Sequence, residues 1–282
     1  MVNFFLKHKI NKITSIAPSL DDIKNSRRIL FSIFTRYGDT IIDIVVIREF
    51  IKLYPDKDYL ILCPRQMKPY ITELLPNIEC LAINKRNIID MLKVTLLLKK
   101  RVFDIGFNPW SNGLDSCYFI SYCNKFLFYK DFQNKKAVNH YQVVRLYLNL
   151  PKKDWLIKKL VLQENYKNIL ICPQSTDVTR SITPPEVKAL IASFKNMYTR
   201  PKITIASMNR SYLSASCNNF LFEKTEISSK KFITLTKKSD LIVCADSGPL
   251  HIGLAFKKDL IALMKTTFPE TVINSGSRLR IE

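Results

Sequence analysis

Short, unbroken apolar runs recur along this chain, each closed by a polar turn, separated by helix-length stretches, and the series occurs twice. An unbroken run marks a strand covered on both faces, as in a parallel sheet sandwiched between helices. In the first series RILFSIF, ending at Phe34, is followed by the turn TRYGDT, a helical stretch over 41–53 that stops before Pro55, and the strand DYLILC over 58–63. That is a βαβ unit. ECLAI (79–83), a helix over 87–99, FDIGF (103–107) and FLFY (126–129) extend it.

A charged helical segment over 139–165, interrupted by Pro151, reads as a crossing between two bodies. The second series then runs through NILICP (168–173), KITIAS (202–207), NFLFE (219–223), DLIVCA (240–245) and DLIALM (259–264). Helices are expected between them near 184–197, 208–216, 229–238 and 249–256. At 282 residues the chain is long for one core and suits two. The expected division is an N-terminal extension over 1–26, a first Rossmann-like domain over 27–150, a linker over 151–166 and a second Rossmann-like domain over 167–282. The expected fold class is therefore α/β, two doubly wound domains facing a cleft.

Lys and Arg number 44 against 24 Asp and Glu, a net charge of +20, which implies an anionic partner. The cations are spread along the chain without an aromatic and basic RNA-binding box or a helix-turn-helix, so nucleic acid is not the expected partner. No apolar run approaches the roughly 18–20 residues of a bilayer span, and Lys7, His8, Lys9 and Lys12 interrupt the opening segment. A cytoplasmic protein is expected. The seven cysteines, at 63, 80, 117, 123, 172, 217 and 244, form no metal-ligand spacing and read as reduced core residues.

In open α/β sheets ligands gather beyond the carboxyl ends of the strands, and three loops there carry chemistry. ADSGPLHIG, Ala245 to Gly253, places Pro249 in the first turn of a helix with Ser247 or Gly248 as its cap. Its N–H groups and dipole suit a diphosphate. Asp246 would then accept from sugar hydroxyls and His251 would donate to phosphate or sugar. A plain helix cap over a core histidine explains the same residues. CPQSTDVTRSITPPE (172–186) offers hydroxyls at Ser175, Thr176, Thr179 and Ser181, and Arg180 as a two-bond phosphate clamp, or is simply a hydroxyl-rich turn. In TRYGDT (35–40), Gly38 permits a tight turn and Asp39, placed just before a helix, is either a cap or a general base. Arg36 meets an anionic acceptor or is surface charge.

These three loops resemble those of the bacterial heptosyltransferases, the family 9 glycosyltransferases, over most of residues 28–270. The opening Gly-Asp turn after a strand is ILFSIFTRYGDTIID here; the Pro-containing hydroxyl-rich loop is CPQSTDVTRSITPPE; the Asp-Ser-Gly-Pro-x-His signature is ADSGPLHIGLAF. The resemblance implies a GT-B fold and metal-independent, inverting transfer of a sugar, typically heptose from ADP-heptose, to a lipopolysaccharide core or related surface glycan. It implies no cofactor, only a nucleotide-diphosphate sugar such as an ADP-sugar as co-substrate. It implies Asp39 as base and Ser175, Thr176 and Arg180 on the diphosphate. Asp246 falls on the sugar, with Ser247, Gly248 and His251 on its phosphate side and Arg36 toward the acceptor. An anionic glycolipid acceptor at the cytoplasmic face of the inner membrane follows.

The chain departs from the family pattern at Gln174, at Ser181 to Pro184, and at Lys265 and Thr266. It also ends sooner than its relatives, and the lead-in is expected to pack where their terminal helix would lie. Other readings of the same loops are a transferase for a different nucleotide sugar and a non-catalytic sugar-nucleotide or glycan binder. A serine hydrolase reading of the Asp-Ser-Gly run fits neither the α/β periodicity nor Ala245 before it.

Overall fold

The apolar runs become the central strands of two parallel sheets. A computed structural model describes residues 10, 14–111, 113–132, 139–153, 158–207, 212, 219–222, 228–273 and 278–281. It divides into two compact units, Met1–Lys152 and Lys153–Glu282.

The first unit contains α1 (Leu20–Asn25), β1 (Arg28–Ser32), α2 (Tyr37–Leu53), β2 (Asp58–Pro64), α3 (Lys68–Leu74), β3 (Glu79–Ile83), α4 (Ile88–Arg101), β4 (Phe103–Phe107), α5 (Leu114–Ile120), β5 (Cys123–Leu127) and α6 (His140–Tyr147). Its sheet has the order β3-β2-β1-β4-β5, and every pairing is parallel. The order reverses at β1, so β1 and β4 diverge into their helices and leave a crevice at their carboxyl ends. Leu30, Leu60, Leu62, Met91, Val94 and Leu98 pack into one apolar cluster of this sheet and α4.

The second unit contains β6 (Lys158–Lys159), β7 (Asn168–Cys172), α7 (Pro184–Met197), β8 (Lys202–Ser207), β9 (Asn219–Phe222), α8 (Ser229–Lys238), β10 (Leu241–Ala245), α9 (Gly248–Ala255), β11 (Asp259–Leu263), α10 (Pro269–Val272) and β12 (Arg278–Ile281). Its sheet order is β6-β12-β11-β10-β7-β8-β9. Counted from β7, this is the order 3-2-1-4-5-6 of a dinucleotide-binding sheet with one edge strand added, and the switch point lies between β7 and β10.

Some expectations shift. The helix read over 41–53 starts at Tyr37, so Gly38 and Asp39 lie inside its first turn and not in a turn before it. The polar residues there do not prevent helix formation because a first turn tolerates a carboxylate. Helices α1, α3 and α5 escaped the periodicity because each spans only 6 or 7 residues. The helix expected over 208–216 lies outside the described residues, apart from Tyr212.

Within the segment expected as a linker, β6 pairs with β12, and Leu160 and Tyr166 are buried in the second core. The lead-in is tied to the first unit. Ser19 and Asp22 form a capping box on α1, Asp22 pairs with Lys125 at 2.5 Å, Ile16 bridges to Phe126, and the Asn149 amide donates to the Pro18 carbonyl at 3.0 Å. Each of these contacts but the cap falls on the β5 edge or just past α6, so the lead-in covers a strand edge that would otherwise be open. The described cysteines are all free, and Cys217 lies outside the described residues.

Gly106 on β4 marks where α5 comes closest to the sheet. An added Cβ would meet Cys123 Sγ at 2.7 Å, Ile120 Cβ at 2.8 Å and the Ile120 carbonyl at 3.1 Å. At Gly253 in α9 the nearest atom is the flexible tip of Leu260, at 2.7 Å. Gly106→Ala is therefore expected to destabilise the first unit by about 1–3 kcal/mol, and Gly253→Ala to cost the second unit less, in urea unfolding followed by domain-specific probes. Equal costs would contradict this account of the α5 approach.

Candidate functional site

In the second unit, three strand-to-helix loops meet around one carboxylate. Asp246 follows the fully buried β10 and is itself only 3% exposed. Arg180 Nη1 donates to its Oδ2 at 3.0 Å, and Thr267 Oγ1 donates to the same oxygen at 2.5 Å. The Ser175 hydroxyl donates to the Asp246 main-chain carbonyl at 3.1 Å. The loops after β7, β10 and β11 are thus joined at the switch point. A second tie stands beside the first: Lys265 Nζ lies 2.9 Å from Glu186 Oε2, and Glu186 closes the capping box of α7 with Thr183. The Lys265 ammonium and the Thr183 N–H hold the Glu186 carboxyl down to about 2, so the tie is ionised throughout the physiological range.

The loop after β7 is shaped by its own side chains. The Ile182 N–H returns to the Pro173 carbonyl at 2.8 Å, the Ser175 N–H donates to Ser181 Oγ at 3.0 Å, and Asp177 caps a single turn over Val178–Arg180. The hydroxyls expected as ligand donors are therefore unequal. Thr179 Oγ1 donates to Asp177 at 2.7 Å and Ser181 braces the loop, while Thr176 is exposed. Arg180 Nε is buried without a hydrogen-bond partner among the described residues, with Asp177 Oδ2 3.7 Å away. A buried guanidinium N–H in that condition costs free energy until an acceptor arrives.

Ser247 is the cap residue of α9 by position, yet its side chain makes no capping bond and turns back toward the Ala245 carbonyl at 3.3 Å. In the first turn of α9 Pro249 has no N–H, the Leu250 N–H donates to the Ser247 carbonyl at 3.0 Å, and no side chain caps the helix. His251 is buried at 6% exposure within α9. Of the Asp246 carboxylate, expected to meet sugar hydroxyls, Oδ2 accepts from both Arg180 and Thr267. The cause is the closeness of the β7 and β11 loops, which sequence spacing does not reveal.

The first unit carries the other expected residues. Arg36 is exposed and precedes α2, and Asp39 is half-buried in the first helical turn. Burial raises the Asp39 carboxyl above the usual range, and the Arg36 charge opposes the rise only in part. Sequence reasoning passed over its neighbour. Asp43, one turn further on, is fully buried, and neither carboxylate oxygen has a hydrogen-bond partner among the described residues. Burial first and the Asp39 charge second push Asp43 well above its ordinary value, with the Thr35 hydroxyl pulling weakly the other way. Both carboxylates act on Tyr129, whose hydroxyl is raised by burial and then by Asp43 and Asp39.

Asn108, fully buried just past β4, fixes this crevice. Its side chain accepts from the Tyr129 N–H at 3.0 Å and donates to the Ser111 carbonyl at 2.7 Å, and its own N–H donates to the Tyr147 hydroxyl at 2.9 Å. The Tyr147 hydroxyl donates in turn to the Leu127 carbonyl. Trp110 stands in the same loop at φ 52°, a conformation costly for a bulky residue. Its ring lies 5.4 Å from that of Tyr129 and 4.3 Å from that of His140. The signal for Asn108 was visible as an Asn-Pro pair ending the FDIGF strand.

Residues 204–279 match the family model of glycosyltransferase family 9 (heptosyltransferase). The matched segment spans less than a third of the chain. It contains the Asp246 loop and α9. No curated protein matches the chain by sequence.

Solved structures share the fold over nearly the whole length. The Escherichia coli heptosyltransferase WaaC with ADP is 10% identical at a TM-score of 0.67, covering 90% of this chain and 93% of its own. The glycosyl transferase family 9 protein from Veillonella parvula DSM 2008 is 14% identical at 0.69, covering 95% and 89%. The E. coli ADP-heptose lps heptosyltransferase II is 16% identical at 0.62, covering 90% and 92%. The likeness is one of fold, the GT-B class. No described helix is long and apolar enough to cross a membrane.

A prediction follows from Asp43. The unfolded chain releases its proton near 3.8, whereas the folded protein holds it to a much higher pH. Below that unfolded value the two states bind equally. Above it, stability falls by about 1.4 kcal/mol per pH unit until the folded group ionises. In urea unfolding of the first unit, the stability of Asp43→Asn relative to the parent should therefore rise steadily from pH 4 toward neutrality. A difference independent of pH would mean that Asp43 titrates normally.

Proposed function

We propose that the chain is an inverting glycosyltransferase that moves a sugar from a nucleotide diphosphate, with ADP-heptose as the first candidate donor, to a hydroxyl of an anionic surface glycan. The observation that carries this reading is the second unit's switch point. There the three loops are locked around Asp246, Arg180 holds an unsatisfied Nε–H, and α9 presents a first turn without a side-chain cap. An uncapped helix start and a guanidinium side by side suit a diphosphate, whose oxygens accept what both leave unpaired. The names of two fold relatives carry ADP or ADP-heptose, which favours an adenine diphosphate.

In this reading Ser175, Thr176, Ser247, Gly248 and Arg180 bind the donor phosphates, and Asp246 positions Arg180 while leaving sugar recognition to its neighbours. As the glycosidic bond breaks, negative charge builds on the departing diphosphate, and Arg180 with the positive end of α9 stabilises it without a divalent ion. His251, buried in the same helix, stands on the phosphate side of the donor. The acceptor belongs to the first unit. Asp39 takes the proton of the attacking hydroxyl, and its raised proton affinity makes it a better base than an ordinary carboxylate once ionised. Trp110 and Tyr129 give the acceptor sugar an aromatic wall, and Arg36 meets its anionic groups. The acceptor class fits a lipopolysaccharide core on the cytoplasmic face of the inner membrane, since the net charge of +20 draws the protein to phosphorylated lipid.

Two measurements test the assignment of roles. Asp39→Asn is expected to lower kcat by about 10²- to 10⁴-fold while the thermal shift induced by ADP stays that of the parent. In the parent, kcat/KM should fall on acidification at a pH above the ordinary carboxylate range, because Asp39 must be ionised and its affinity for the proton is raised. Arg180→Gln should do the reverse, weakening ADP binding by about 10- to 100-fold. Full turnover in Asp39→Asn across a panel of ADP-, UDP-, GDP- and CMP-sugars removes Asp39 as the base. Transfer from another sugar nucleotide in the same panel replaces the donor assignment alone.

A further inference from the structure

Helix α4 carries its apolar residues on two sides. Met91, Val94, Thr95 and Leu98 face the core, as an amphipathic helix requires. The opposite side should be polar, yet Ile88, Ile89, Leu92 and Leu96 are exposed by 58%, 57%, 57% and 66%. Ile88, Leu92 and Leu96 follow one another at intervals of four, so they form a ridge along the outer face of the helix. Lys93, Lys99 and Lys100 are exposed on the same face, and Arg86 is exposed in the turn that leads into it.

The nearby acids are directed elsewhere. Asp90 receives Arg65 Nη2 at 2.9 Å and the Asn84 N–H at 3.0 Å, Glu79 pairs with Arg101 at 2.6 Å, and Asp115 pairs with Lys85 at 3.0 Å. The outer face of α4 is therefore aliphatic and cationic and bears no acid.

We infer that the outer face of α4 is the surface by which this protein lies on an anionic lipid bilayer. The inference rests on the part of the proposed function that brings the protein to a membrane, and it names the surface that makes the contact. Charge complementarity selects the occupant. Aliphatic side chains flanked by lysines sink among acyl chains while the ammonium groups reach lipid phosphates on flexible stems. A second copy of the chain fits poorly, because a two-fold contact through this ridge would set Lys93, Lys99 and Lys100 against their own kind. Nucleic acid would call for aromatic stacking groups, and the face has none. Helix α4 connects β3 to β4 and packs its core side against Leu30, Leu60 and Leu62 of the sheet, so its outer face is the one left for a bilayer.

Sedimentation with lipid vesicles tests this on the full chain. The parent should pellet with vesicles of phosphatidylcholine and phosphatidylglycerol, and not with phosphatidylcholine alone. Replacing Ile88, Leu92 and Leu96 by Ser should weaken that binding by about tenfold for each side chain that the bilayer had buried. Replacing Lys93, Lys99 and Lys100 by Gln should weaken it about fivefold per lysine at low salt. Both sets are solvent-exposed, so the melting temperature and the ADP-induced shift should stay those of the parent. That keeps failure of the docking surface distinct from failure of the donor site.

Binding by both triple variants as tight as the parent's overturns the inference, as does equal binding to neutral vesicles. So does a parent that self-associates in solution and becomes monomeric when the three apolar residues are replaced.

Discussion

The carboxylate of Asp246 is the knot on which the second unit's crevice depends. It is almost wholly buried and ionic, and an isolated buried charge is prohibitive, so it exists only because Arg180 and Thr267 meet it. Those partners come from the loops after β7 and β11, while Asp246 comes from the loop after β10. Remove any one and the others lose their reason to lie where they do. A pair of this kind adds little net stability, since desolvation consumes most of the Coulombic gain. What it supplies is position: the guanidinium is held at a fixed place beside the start of α9, with one edge engaged and its Nε–H unsatisfied.

The first unit solves the opposite problem. There Asp39 and Asp43 on α2 are paired with no buried cation among the described residues, and burial raises both proton affinities. Asp43 is the extreme case, costing stability as the pH rises, and nothing in its packing repays that cost. Residues of that sort concentrate where a fold gives up stability for chemistry. Its neighbours point the same way. Asn108 uses nearly all of its bonding capacity to hold the ends of β4 and β5 against α6, and Trp110 is kept in a backbone conformation it would not choose.

Much of this was readable in the residues. Strands buried on both faces have to be written as continuous apolar runs, and RILFS, NILIC and LIVCA came out as strands within a residue or two of their expected limits. The α9 and α7 starts were legible because Pro, Ser and Thr announce them chemically. Pairing was not legible. Arg180 and Asp246 are 66 positions apart, and nothing local in either loop says that the clamp expected for phosphate would already be engaged by the acid expected for sugar.

Asp43 was hidden for a different reason: inside IIDIVVI it reads as an ordinary polar break in a helix, and only its burial makes it exceptional. The turn expected around Gly38 was misplaced because glycine suggests a break, whereas the first turn of a helix accommodates it.

In the first sheet the strand made first by the ribosome, β1, stands in the middle. In the second the two-residue β6 comes first and ends at the edge, and β7, made next, stands inside the sheet. From β1 and β7 the chain fills one flank before it crosses to the other. The crevice past β7 therefore has only one wall until β10 is synthesised, and Ser175 waits through 71 residues for the carbonyl it will bond. A nascent chain halted after β9 would own half of a sheet and no binding place at all. Assembly of the crevice is thus among the last events of each unit's folding, and the slow, long-range closure of β10 onto β7 is the step that creates it.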